Sequence, residues 1–102
     1  MRIIKERFLK DASARHPRAA EALDNWARTI RGSKWRSFAE VRDTFPKADQ
    51  VRVKSEHTVY VFNIRGGEFR LIAAIHFDRQ RLYTLRLLTH SEYDENKWKS
   101  EL

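Results

Sequence analysis

Hydrophobic positions in this chain change their period near the middle. In the first half they recur every three or four residues, and in the second half they alternate. Phe8, Leu9 and Ala12 make one helical stripe within Lys5–His16, which Pro17 stops. Ala19, Leu23, Trp26, Ala27 and Ile30 make a clearer one within Arg18–Arg31. Pro17 suits a first helical position and Gly32 a position just past a helix end. Two helices joined at Pro17 predict an antiparallel helical hairpin. A shorter helix is predicted within Ser33–Pro46, with Ser37 as cap, Glu40 at the capping-box spacing, and Phe38, Val41 and Phe45 on its apolar side. Ahead of all three, Arg2–Ile4 reads as a short edge strand.

Beyond Val51 the pattern is that of strands. Val51 and Val53 mark a short one, and Thr58–Ile64 is rich in β-formers. Gly66-Gly67 reads as a two-residue hairpin turn. Phe69, Leu71, Ala73, Ile75 and Phe77 then alternate with Arg70, Ile72, Ala74 and His76. After a turn at Asp78–Arg81, the run Leu82–Leu88 is expected to point Tyr83, Leu85 and Leu87 one way, and Thr84 and Arg86 the other. Ser91 is expected to cap a last helical segment reaching Trp98. The turn length sets the first hairpin: Ile64 opposite Phe69, Asn63 opposite Arg70, Phe62 opposite Leu71. One register of the second hairpin places Phe77 opposite Tyr83 and Arg70 opposite His90, lining up Asn63, Arg70 and His90. The order of elements is α+β: N-terminal helices on one face of a mainly antiparallel sheet.

Residues 1–102 are one domain's worth of chain, with 41% hydrophobic and 12% aromatic residues to build a core. No run approaches the roughly 20 apolar residues of a membrane span, and MRIIKERFLKD has charges where a signal peptide needs an apolar centre. With no cysteine there is no disulfide frame, thiolate nucleophile or Cys-based zinc site. The expectation is a cytoplasmic protein. Charge narrows the partners: 21 Lys+Arg against 14 Asp+Glu give +7 and a pI near 10.1. That balance favours a polyanion, RNA first, although a basic, well-solvated surface or an acidic protein partner satisfies it too.

Val61-Phe62-Asn63-Ile64-Arg65-Gly66, Phe69-Arg70-Leu71-Ile72, and Thr89-His90-Ser91-Glu92-Tyr93-Asp94 with Lys97 resemble the HigB-type toxins of bacterial type II toxin–antitoxin systems, within the RelE-like superfamily. The resemblance spans the chain. It departs at Gly67, where the family often has Asn, and at Glu68, where it is often basic. It implies a RelE-like fold and a metal-independent, cofactor-free endoribonuclease that cleaves translated mRNA on the ribosome. It also implies a HigA-type helix-turn-helix antitoxin as partner, with DNA contacted only through that antitoxin.

Metal-free RNA cleavage needs groups that move protons and cations that hold the phosphate. The four histidines, at 16, 57, 76 and 90, and the scattered acids offer no obvious metal set. Arg70 is the candidate phosphate clamp, since a guanidinium binds phosphate through a two-pronged fork; the bland alternative is a solvated strand arginine near Glu68. His90 is the candidate acid or base, or else a helix-start residue. Tyr93 is placed to donate a proton or stack on a base, or to anchor the last helix. Lys97, four residues on and on the same helical face, is a candidate to hold phosphate or tune a neighbour. Asn63, Arg65 and Arg86 are candidate RNA contacts. His57 and His76 read as surface or structural, and Trp26, Trp35 and Trp98 as packing residues. A non-catalytic RNA-binding or protein-interaction module remains the rival reading. A helix-turn-helix factor is disfavoured because a strand meander stands where a recognition helix belongs.

Overall fold

The computed structural model describes all residues from Met1 to Leu102. Strand β1 (Arg2–Ile4) leads into helix α1 (Arg7–Arg15). A 3-10 turn at Pro17–Ala19 precedes α2 (Ala20–Arg31), and α3 (Phe38–Thr44) follows. Then come β2 (Asp49–Arg52), β3 (Thr58–Ile64), β4 (Phe69–His76), β5 (Arg81–Thr89) and two short helices, α4 (His90–Asp94) and α5 (Lys97–Glu101). The sheet is five-stranded in the order β1-β5-β4-β3-β2. β1 runs parallel to β5 and every other pair is antiparallel. The fold is α+β, as expected.

The helical stripes face the sheet. Leu23, Trp26, Ala27 and Ile30 of α2 are buried with Leu9 and Ala12 of α1 against Phe62, Ile64, Phe69, Leu71, Ala73 and Ile75. Phe62 is fully buried, with the rings of Trp26 and Phe45 edge-on at 5.4 and 5.3 Å. Ser37 occupies the N-cap position of α3 but its side chain caps nothing. Glu40 reaches past it to the Arg36 amide at 2.7 Å, so the expected capping box does not form.

The opposite sheet face is not fully open. Trp98, 2% exposed, lies on Val53, Val59, Val61 and Ile72 and makes a second, smaller core with Leu85, Leu88, Tyr93 and Leu102 along its edge. α5 has five residues, too few to persist in isolation, so its docking depends on that indole.

The first hairpin pairs as predicted, with Asn63 opposite Arg70 and Ile64 opposite Phe69. The second does not. Arg70 lies opposite Leu88, two residues short of His90, and Tyr83 faces Ala74 rather than Phe77. A β-bulge causes the further change: Ile72 pairs with Arg86 but Ala73 with Thr84, leaving Leu85 as the extra residue. The bulge breaks the simple alternation of β5. Leu82, Thr84 and Leu87 are buried, while Tyr83 and Leu85 leave the helix-side core. Ile72, on the same face of β4 as Arg70, meets Trp98.

Candidate active site

The β3–β4 turn builds one wall of the site. Arg65, Gly66 and Gly67 all have positive φ, at 54°, 64° and 93°. Glycine relieves the strain of that conformation at the last two. At Gly67 it also makes room, because a Cβ there would stand 3.0 Å from Nη1 of Arg70. Through that nitrogen Arg70 turns back and donates to the Gly67 carbonyl. Its guanidinium carbon lies 5.3 Å from the centre of the Tyr93 ring, in cation–π contact.

The other wall is α4. Its N-cap is Thr89, not Ser91: the Thr89 hydroxyl accepts from the Glu92 amide at 3.2 Å, and Glu92 accepts from the Thr89 amide at 2.9 Å. This capping box places His90 at the first helical position. The His90 amide donates to the Glu68 carbonyl at 3.0 Å, which ties α4 to the hairpin turn. The imidazole is exposed, with Nε2 3.0 Å from Oδ2 of Asp94. Tyr93, one helical turn on, is held from behind by Trp98. The rings stack at 5.4 Å and 18°, and the indole N–H donates to the Tyr93 carbonyl at 3.1 Å.

Burial pushes the Tyr93 phenol above its ordinary value near 10, and the carboxylates of Asp49 and Asp94 add to this against the opposing Arg70 charge. A phenol is protonated at neutral pH with or without that shift, so Tyr93 can offer its hydroxyl hydrogen to a bound phosphate oxygen. Arg70 brings a planar guanidinium, which binds phosphate through two parallel N–H donors. Together they present a fixed cation and a proton donor at one end of the sheet, beside an exposed imidazole. Such a set can hold a phosphodiester and move protons around it.

The remaining candidates are distributed around this set. Asn63 is the cross-strand neighbour of Arg70. Arg86 lies opposite Ile72, one step along the same face, and donates to the Leu85 carbonyl at 2.9 Å. Arg65 pairs with Glu68 at 2.6 Å on the turn. Lys97 falls away from the expected arrangement. Asn96 adopts a left-handed conformation (φ 62°) that ends one helix and starts the next, so Tyr93 and Lys97 do not share a helical face. Lys97 is exposed at the start of α5. His76 packs on Tyr83 and His57 bonds Ser55, both away from the cluster. Asp94 was missed for want of the right helix start, since its spacing from His90 becomes meaningful only when α4 begins at His90. Arg18, which reaches Glu68 at 3.0 Å, had no local signal at all.

No three His, Cys, Asp or Glu side chains converge where they could hold a metal ion, and no helix is long and apolar enough to cross a membrane. The concavities between α1 and α2 (about 610 Å³) and beside the β4–β5 turn (about 940 Å³) are lined by other residues, whereas a smaller one against α2 (about 240 Å³) is lined in part by Asn63 and Arg65.

Residues 19–96 match the family model of the HigB toxin, described as the RelE-like toxic component of a toxin–antitoxin system. The chain belongs to the HigB family of RelE-like toxins. Its similarity to the mRNA interferase toxin HigB of Escherichia coli K12 is 32% identity over 94 residues, covering 92% of this chain and 88% of that one. The mRNA interferase HigB of Shigella flexneri gives the same figures, and that of Escherichia coli O6:H1 is 28% identical over 95 residues, 93% and 90% of the two chains. The HigB match encloses every clustered residue from Asn63 to Tyr93, while Lys97 lies just beyond it. As a HigB-family protein, it is the toxic component of a toxin–antitoxin system.

Proposed function

We propose that this protein is an mRNA interferase: an endoribonuclease that cuts mRNA undergoing translation on the ribosome, without a metal ion. The reaction uses the RNA's own 2′-hydroxyl. Its oxygen attacks the adjacent phosphorus as its proton passes to a base; the bond from phosphorus to the 5′-oxygen breaks, and an acid protonates that oxygen. The products are a 2′,3′-cyclic phosphate and a 5′-hydroxyl. Arg70 holds the phosphate and stabilises its added negative charge. His90, oriented by Asp94, exchanges protons with the reacting oxygens, and Tyr93 supplies a proton or hydrogen bond from its protonated phenol. Asn63, Arg65 and Arg86 line the approach of the strand, and Lys97 is a flanking phosphate contact rather than a catalytic group. The partner is a HigA-type helix-turn-helix antitoxin, through which alone the toxin meets DNA, and the site of action is the cytoplasm.

The observation that carries this reading is the Arg70 guanidinium set 5.3 Å from the Tyr93 ring centre at the sheet end where His90 begins α4. The test is single-turnover cleavage of ribosome-bound mRNA with and without EDTA. Arg70→Ala is expected to lower the rate by about 100-fold or more, the scale for removing a transition-state donor, with an unchanged circular dichroism spectrum. EDTA-sensitive cleavage on ribosomes kept intact, or full activity in an Arg70→Ala/His90→Ala variant, would refute it. Growth arrest by that double variant would favour a non-catalytic binding module.

A further inference from the structure

Both carboxylate oxygens of Glu68 are occupied. Arg18 Nε donates to one at 3.0 Å and Arg65 Nη1 to the other at 2.6 Å. Arg18 comes from the 3-10 turn ahead of α2 and Arg65 from the β3–β4 turn, so two guanidiniums distant in sequence converge on one anion. The same residue's carbonyl accepts the His90 amide, and Arg70 is two positions along the chain. The trio therefore stands on the rim of the candidate active site. Its hydrogen bonds, that from Arg18 foremost, hold the Glu68 carboxyl below its ordinary range.

A carboxylate and a phosphodiester offer a guanidinium the same bite, two anionic oxygens on one central atom. The side chains here are 70%, 45% and 37% exposed for Arg18, Arg65 and Glu68. Ion pairs so exposed are weak and exchange readily. Glu68 can leave by side-chain rotation with the backbone turn intact. A strand already anchored at Arg70 brings its next phosphate to the two arginines at high effective concentration.

We propose that Arg18 and Arg65 form a second phosphate subsite beside Arg70, filled in the free protein by the Glu68 side chain as an internal stand-in for RNA. This rests on the endoribonuclease reading above and extends it. The ligand is the ribonucleotide phosphate flanking the one that is cut, and Glu68 is a brake that RNA must displace. If the closed arrangement outweighs the open one by roughly two to nine to one, removing the carboxylate tightens binding by about three- to tenfold. It also frees about one further cation to release its counterion, steepening the log–log salt dependence by about 0.7.

The test is fluorescence anisotropy with a labelled, fully 2′-O-methylated single-stranded oligoribonucleotide, which lacks the attacking hydroxyl. Glu68→Gln is expected to tighten binding and steepen its salt dependence. Arg18→Ala is expected to weaken binding severalfold, and in that background the gain from Glu68→Gln should shrink. Arg18→Lys, which keeps a charge, guards against a folding artefact. Unchanged or weaker binding by Glu68→Gln, a neutral Arg18→Ala, or no measurable binding by wild type and Glu68→Gln alike would overturn the subsite. A merely structural ion-pair bridge predicts for Glu68→Gln a loss of stability with no gain in affinity. Cleavage of ribosome-bound mRNA by wild type is measured in parallel. Its absence would overturn the endoribonuclease reading, whatever the oligonucleotide shows.

Discussion

Replacing Trp98 by Ala tests whether the small second core positions the active site. The indole is 2% exposed on Val53, Val59, Val61 and Ile72, and it both stacks on Tyr93 and donates to its carbonyl. A buried Trp removes about 150–250 Å² from water, or about 4–6 kcal/mol at about 25 cal/mol per Å². That is an upper bound, in keeping with the roughly 3–5 kcal/mol seen for Trp→Ala. Helices of five residues have no comparable source of stability. The loss should therefore appear first as detachment of the segment from His90 onward, while the larger core under α1 and α2 stays folded. Hydrogen exchange should show the amides of Glu95, Asn96 and Lys99 losing their protection and those of β3 and β4 keeping theirs. Cleavage should fall by about 100-fold, the scale for small misplacement of a catalytic group. Trp98→Phe should recover much of both. Wild-type protection and wild-type cleavage in Trp98→Ala would refute the idea that this indole holds Tyr93 in place.

Removing the Thr89 hydroxyl should cost about 1 kcal/mol through loss of the cap, visible as a lower denaturation midpoint and faster exchange in α4; Thr89→Ser should restore it. Arg70→Lys keeps the charge but loses the fork and the flat face over Tyr93, so cleavage should remain at least about tenfold below wild type. The raised Tyr93 value means that the unfolded chain releases its phenol proton first as pH rises. Stability should accordingly fall above about pH 10, with Tyr60, also raised by its burial, adding the same sign. Denaturant titrations at stepped pH should show the fall, and Tyr93→Phe should lessen it. Glu68, held low, has the opposite sign: its contribution is present above its ordinary value near 4.5 and is lost as pH falls through the lower folded value, a loss that Glu68→Gln should remove.

The helical stripes, the period change, the Gly66-Gly67 turn and the Asn63–Arg70 pairing are properties of local spacing. Sequence alone determined them, because helix and strand periods and a two-residue turn leave little choice of face or register. The segments around Arg70, His90 and Tyr93 were legible by their resemblance to the HigB-type toxins, not by local spacing. What the sequence left open lies where one extra residue or one cap changes the geometry. The β4–β5 turn sets Ala74 opposite Tyr83, three residues from the expected register, and the bulge at Leu85 recovers one of them, so Arg70 meets Leu88 and not His90. Thr89, not Ser91, starts α4, and Asn96 splits the C-terminal segment, which carries Lys97 away from Tyr93. The Trp98 core and the Arg18–Glu68–Arg65 bridge lie further still beyond local pattern. Contacts between residues tens of positions apart exist only once the sheet has folded, since only then are a side chain's neighbours set by packing instead of by its place along the chain.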